Sequence, residues 1–186
     1  MSGFFILLIA LVLIALFLVG IYNGFVSLKN KVDEAWSGIS VQLKRRYDLI
    51  PNIVNTVKGY AAHEKETLER VINARNSAVS LQPGDVQGQA QANAAISQGI
   101  RQLFALAESY PDLKANTNFM SLQNSLTEIE DNLQNARRYY NATVRDYNTK
   151  CQSFPSVIIA RAFNFATREF FELDSAEESR NVQVQF

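Results

Sequence analysis

The sequence predicts an all-α protein, with one N-terminal transmembrane helix continuing into a bundle of long helices. Three observations carry that expectation. Gly3 to Ile21 contains no charged or strongly polar side chain. Apolar residues then recur at steps of three and four along most of the remaining chain, the spacing of one helix face. Between Tyr22 and Asp48 nothing breaks a helix apart from Gly24 and Gly38.

The 186 residues suit one domain with an appendage. Eighteen basic and eighteen acidic side chains cancel, so no global field draws the chain toward nucleic acid, and none is expected as a partner. All of them follow Tyr22. Residues 29–75 lean basic, whereas Glu169, Glu172, Asp174, Glu177 and Glu178 make the C-terminal stretch acidic. Cys151 is the sole cysteine, which excludes an intrachain disulfide and a four-thiolate metal site. It reads as a small apolar core residue, with an intermolecular disulfide or a lipidated thiol as the alternative.

Fifteen of the nineteen residues from Gly3 to Ile21 are Leu, Ile, Val or Phe. At ~1.5 Å per residue they span roughly 28 Å, close to the ~30 Å hydrocarbon thickness. Their insertion is favoured by about 5–9 kcal/mol as an upper estimate. A buried soluble helix rarely lacks a polar edge over five turns. A cleaved signal peptide needs a basic start and a small-residue cleavage site, and Val19-Gly20-Ile21-Tyr22 is a poor one. Residues 1–22 are therefore expected to be an uncleaved, single-pass anchor with Tyr22 at the interface. Lys29 and Lys31 follow the span and no basic residue precedes it, which assigns the bundle to the cytoplasm and the N-terminus to the outside.

Beyond the anchor, Leu28, Val32, Ala35 (with Trp36), Ile39 and Leu43 form the first seam. Asp48 can cap a new helix with Pro51 in its first turn; a continuous helix kinked at Pro51 is the alternative. The next seam runs through Ile50, Ile53, Val54, Val57, Tyr60, Leu68, Val71, Ile72 and Ala78, with a break expected near Gly59 and His63. Gln82-Pro83-Gly84-Asp85 is a turn, and Asp85 can cap a third helix carrying Ala92, Ile96, Gly99, Leu103, Leu106 and Tyr110, which Pro111 ends. The fourth helix has the most regular pattern: Phe119, Leu122, Leu126, Ile129, Leu133, Ala136, Tyr140, Val144, Tyr147 and Cys151. Its spacing makes the seam drift left-handed, as coiled-coil-like bundle packing requires. After Phe154-Pro155 a shorter segment presents Val157, Ile158, Ala162, Phe165 and Phe170. These seams delimit a bundle over 23–170 and an acidic tail over 171–186, whose final Val182-Gln183-Val184-Gln185-Phe186 alternates like a strand.

Catalytic chemistry finds little purchase. His63-Glu64-Lys65-Glu66-Thr67 evokes a zinc-protease helix, but Thr67 stands where the second histidine belongs and the chain has no other. A Ser-His-Asp site would also depend on His63, with no nucleophile motif around any serine. Glu128, Glu130 and Asp131 lack the Glu-x-x-His partners of a di-iron bundle and read as a solvated face. No phosphate-binding glycine loop is present. The sequon Asn141-Ala142-Thr143 falls inside a helix and matters only in a glycosylating compartment. Catalytic, cofactor-binding and metal-ligating residues are therefore all expected to be none. The candidate partner contacts are the basic run Lys44, Arg45 and Arg46, which suits phosphate or an acidic partner, and Trp36, which marks a contact surface if exposed and core if buried.

The motifs Tyr22-Asn23, Leu28-Lys29-Asn30, Glu34-Ala35-Trp36-Ser37 and Val41-Gln42-Leu43-Lys44-Arg45-Arg46 are similar to those of the bacterial LemA family. So are Asp48-Leu49-Ile50-Pro51-Asn52, Thr56-Val57-Lys58-Gly59-Tyr60-Ala61, His63-Glu64, Tyr110-Pro111-Asp112-Leu113-Lys114-Ala115-Asn116, Tyr140-Asn141, Tyr147-Asn148 and Phe154-Pro155. Ser40, Asn164 and Asn181 depart from the Asp, Gly and Pro usual at those places, which bears only on local helix ends. The resemblance covers nearly the whole chain. It implies an up-and-down, bromodomain-like four-helix bundle, anchored with the N-terminus outside and the bundle in the cytoplasm. It also implies proximity to membrane-protein quality control, including a heat-shock membrane protease, and it supplies no catalytic residues.

The expected function is that of a scaffold in the cell membrane, acting by helix–helix contact with its own copies or with other membrane proteins. Ala10, Ala15 and Gly20 offer small residues for lateral packing, although no GxxxG is present. The competing expectations are a membrane-bound hydrolase using His63 and a nucleic-acid tether through Lys44, Arg45 and Arg46.

Overall fold

The computed structural model describes residues 2–82 and 84–172. Six helices and no strand occur among them: α1 (Ser2–Lys58), α2 (Lys65–Val79), α3 (Val86–Ala107), α4 (Pro111–Lys114), α5 (Thr117–Gln152) and α6 (Ser156–Ala162). The fold is all-α, with the long apolar helix at its N-terminus. The strand-like alternation at 182–186 lies outside the described residues.

Packing divides the described residues into two compact units, one running to residue 42 and including 131–169, the other made of 43–130 and 170–172. In the first unit α1 and α5 run antiparallel. Gly24 lies against Lys150, Phe25 against Tyr147 and Trp36 against Tyr140, so rising numbers in α1 meet falling numbers in α5. The expected seams face inward here: Val32, Ala35, Ile39, Leu133, Tyr140, Val144, Tyr147 and Cys151 are all buried. After α6 the chain turns back along α5. The Tyr140 hydroxyl donates to the Glu169 carbonyl at 2.9 Å, while Asn148 donates to the Arg168 carbonyl and accepts from its N–H.

The face expected of α6 is wrong. Ile158 and Ala162 point outward, and Ser156, Ile159 and Ala160 are the buried positions. A polar residue holds the inner face because it has local acceptors: Ser156 Oγ donates to the carbonyls of Lys150 (2.7 Å) and Ser153 (2.9 Å). The helix closes with Asn164 at φ 56° and the Phe165 N–H on the Ala160 carbonyl. This is a Schellman turn, whose left-handed position takes glycine first and asparagine next.

The second unit contains four long helical segments, α1 from residue 43, α2, α3, and α5 to residue 130, with the short α4 between the last two. Each runs antiparallel to the one before. Tyr47 meets Arg75, Val71 meets Gly99, Phe104 meets Phe119, and Ala78 meets Gln89. Gly99 permits the closest approach, since a Cβ there would stand 2.9 Å from Val71 Cγ2. Ile50, Ile53, Val57, Leu68, Val71, Ile96, Leu103, Leu113, Phe119 and Leu126 fill the core. Tyr60 and Ile72, expected in the seam, are exposed.

No new helix starts at Asp48. Instead α1 passes through Pro51 unbroken and ends at Lys58. Pro51 brings no N–H to the Tyr47 carbonyl four residues back, and Arg75 Nε donates to that oxygen at 3.4 Å. Asp85 caps α3 as expected, its Oδ1 accepting the Gly88 N–H at 2.8 Å. Pro111 does not end α3, which stops at Ala107; it occupies the first turn of α4, where a missing N–H is harmless. Asn116 Oδ1 caps α5 through the Phe119 N–H.

Candidate membrane anchor and contact residues

Every large apolar side chain of α1 from Phe4 to Val19 is exposed, at 41–67%. The helix is long and apolar enough to cross a membrane, and none of its most apolar window is buried in the protein. A water-facing surface of this length and composition is far larger than the apolar patches soluble monomers carry. Where this surface ends, the first unit gathers aromatic rings. Tyr22 packs on Phe163 (centroids 4.9 Å) and Phe165 (5.7 Å), and Phe25 stacks on Phe165 (4.7 Å, 11° between planes). The Lys150 ammonium stands over the Phe25 ring at 5.1 Å, a cation–π contact.

The basic run divides. Lys44 and Arg45 are exposed, but Arg46 is buried at 3% exposure. A helix turns 100° per residue, so three consecutive side chains cannot share one face, and Arg46 falls one turn after Leu43 on the seam. Its guanidinium donates to Asn93 Oδ1 and to Ser97 Oγ (2.9 Å), and pairs with Glu130 at 2.8 Å. Asn93 is itself buried at 4%. This network belongs to the interior of the second unit, and sequence reasoning missed it. The available signal was Asn93, a polar residue three positions before the seam residue Ile96 on a helix otherwise rich in Ala and Gln.

Trp36 is half-buried against Tyr140, centroids 5.5 Å apart, and so is neither fully core nor an open contact. His63 is exposed in the turn between α1 and α2. Among the described residues no group of three His, Cys, Asp or Glu side chains could hold a metal ion. Glu128 is exposed, while Glu130 serves Arg46. Cys151 is buried; burial pushes its thiol above the usual range, and a hydrogen bond with Tyr147 offsets this in part. Such a thiol is protonated and unreactive. Burial also pushes Tyr147 up to about 12, with Cys151 adding to the effect. Tyr47, whose hydroxyl donates to Gln89 at 2.9 Å, is likewise raised by burial to about 12 despite the opposing charge of Arg46.

A profile of the LemA family matches residues 35–186. Magnetosome protein MamQ 2 of Paramagnetospirillum magneticum is 23% identical over 188 residues, covering 88% of this chain and 69% of that protein. Magnetosome protein MamQ of Magnetospirillum gryphiswaldense has the same identity and coverage. Protein LemA of Metamycoplasma hominis is 24% identical over 159 residues, covering 86% of this chain and 72% of its own. None of these names states an enzymatic activity. Together with the exposed apolar helix they make this a membrane-associated helical protein.

Proposed function

The chain belongs to the LemA family, and we propose that it is a membrane-tethered interaction or scaffold protein that performs no catalytic step. The observation carrying this reading is the uncovered apolar surface of α1 from Phe4 to Val19, which water tolerates poorly and a bilayer accepts. Residues 1–22 form the anchor, 23–170 the helical bundle and 171–186 an acidic tail. The lysines after the span, Lys29 and Lys31, favour a cytoplasmic bundle and an outward N-terminus. Tethering keeps all copies in one plane, which raises effective concentration without extra affinity.

The partners are further copies of the chain or other membrane proteins, a heat-shock membrane protease among them. Lys44 and Arg45, both exposed, offer cations to an acidic partner; Trp36, half-buried against Tyr140, is the other candidate contact. No specific observation favours hydrolysis at His63, which lies exposed in the turn between α1 and α2.

Proximity labelling from a tag fused after Phe186, with protease accessibility read on the same membranes, tests the proposal. It predicts a reproducible set of membrane-protein neighbours, shared copies included, and a bundle shielded in intact cells. A protein that crosslinks to nothing and labels no consistent neighbour would contradict it.

A further inference from the structure

α6 and its flanks leave a row of large apolar side chains uncovered. Phe154 is 82% exposed, and Ile158 and Phe163 are 57% exposed each. Ile158, Arg161 and Ala162 share the outer face of the helix, opposite Ser156, Ile159 and Ala160, which fix it to its own unit. The only cation on that face, Arg161, sits on a stem long enough to reach past apolar neighbours.

The location of this row gives it an occupant. Phe163 rests on Tyr22, the residue at which the exposed apolar surface of α1 ends. Lys150 lies against Gly24, and α5 ends two residues later at Gln152. Because α1 and α5 are antiparallel, the turn at 153–155 comes level with Tyr22 and the last residues of the span. The exposed row is thus continuous with the lipid-facing surface of α1, at the depth where a bilayer's headgroups meet its acyl chains.

We propose that residues 154–163, with α6 at their centre, form a second membrane contact. In it Phe154, Ile158 and Phe163 enter the headgroup–acyl boundary and Arg161 pairs with lipid phosphates. An amphipathic segment lying in the interface buries its apolar face about 5–10 Å deep and draws further attraction from anionic lipid. This rests on the reading that residues 3–22 cross the bilayer. It adds that the first unit is held against the membrane at two places, so that the end of α5 is fixed at the lipid surface.

Tryptophan quenching in vesicles tests it. The full-length protein is reconstituted in phosphatidylcholine–phosphatidylglycerol vesicles whose acyl chains carry bromine at shallow or at deep positions. Trp36, the only native tryptophan, lies about 21 Å beyond Tyr22 along α1 and supplies an unquenched baseline. Leu13→Trp reports the span, and Phe154→Trp and Ile158→Trp, both at exposed positions, report the second contact. The expected result is loss of the added emission to deep bromine for Leu13→Trp and to shallow bromine for the other two. If Leu13→Trp is quenched and neither of the others is, α6 faces water or a second copy of the chain, and the inference falls while the tether stands. If Leu13→Trp also escapes quenching, the tether falls and takes the inference with it.

Discussion

A guanidinium that is 3% exposed has to find its hydrogen-bond partners inside the protein, and Arg46 finds Asn93, Ser97 and Glu130 on two other helices. Removing it leaves Asn93 buried without its donor. Arg46→Ala is therefore expected to destabilise the protein by about 3 kcal/mol, the low end for breaking a buried pair, because Glu130 stays half exposed. Lys44→Ala and Arg45→Ala, exposed neighbours in sequence, should stay within about 0.5 kcal/mol. Urea unfolding of the detergent-solubilised protein measures all three; an Arg46 variant as stable as the Lys44 variant would remove the network from the account. The buried tyrosines give the same residue-scale physics a pH signature. The folded state raises Tyr47 and Tyr147 to about 12, above the ordinary value of 10.0, so it holds protons that the unfolded chain releases. Stability is then flat below about pH 10 and falls as pH rises toward 12. Tyr147→Phe should make that decline shallower, and an unchanged slope in the urea midpoint between about pH 9 and pH 12 would contradict it.

At the scale of the element, the long seams carry the packing. Leu133 is fully buried on α5, and Leu133→Ala should cost about 2–5 kcal/mol through the cavity it leaves. A thermal or urea midpoint matching the parent protein would put Leu133 on the surface. These seams were legible in the sequence because each runs over many turns, so an error at one position does not move the face. Nearly every seam residue expected of α1 and α5 is buried or half-buried. Shorter or interrupted stretches misled for identifiable reasons. Pro51 reads as a helix start from local chemistry alone, since Arg75, which reaches the Tyr47 carbonyl left over by the proline, lies 28 residues away. The seven residues of α6 give under two turns of periodicity, and Ser156 takes an inner position through bonds to the preceding helix end. Arg46 reads as a partner contact beside Lys44 and Arg45 because charge runs usually face solvent, and no pattern on α1 reveals an asparagine waiting on α3. Asn164 departs from the family's glycine at a place where the backbone adopts a positive φ, and asparagine is the substitute that conformation accepts.

At the scale of the whole molecule, one physical fact organises the rest: an α1 surface of uncovered Phe, Leu, Ile and Val that belongs in lipid. The insertion energy of about 5–9 kcal/mol implied by those residues exceeds anything a surface charge pair contributes, so on the proposed reading the apolar span rather than the bundle sets location. Membership of the LemA family and similarity to MamQ and LemA proteins agree with a membrane location. On the proposed reading the tethered protein meets partners held in the same membrane, with the exposed Lys44 and Arg45 as candidate contacts. Alkaline carbonate washing of membranes from cells making the full-length chain, beside a variant lacking residues 2–22, tests this most directly. The full-length protein is expected to remain with the lipid pellet, and the shortened variant to be released into the wash. Full-length protein recovered in the wash, with its N-terminal residues intact, would contradict it.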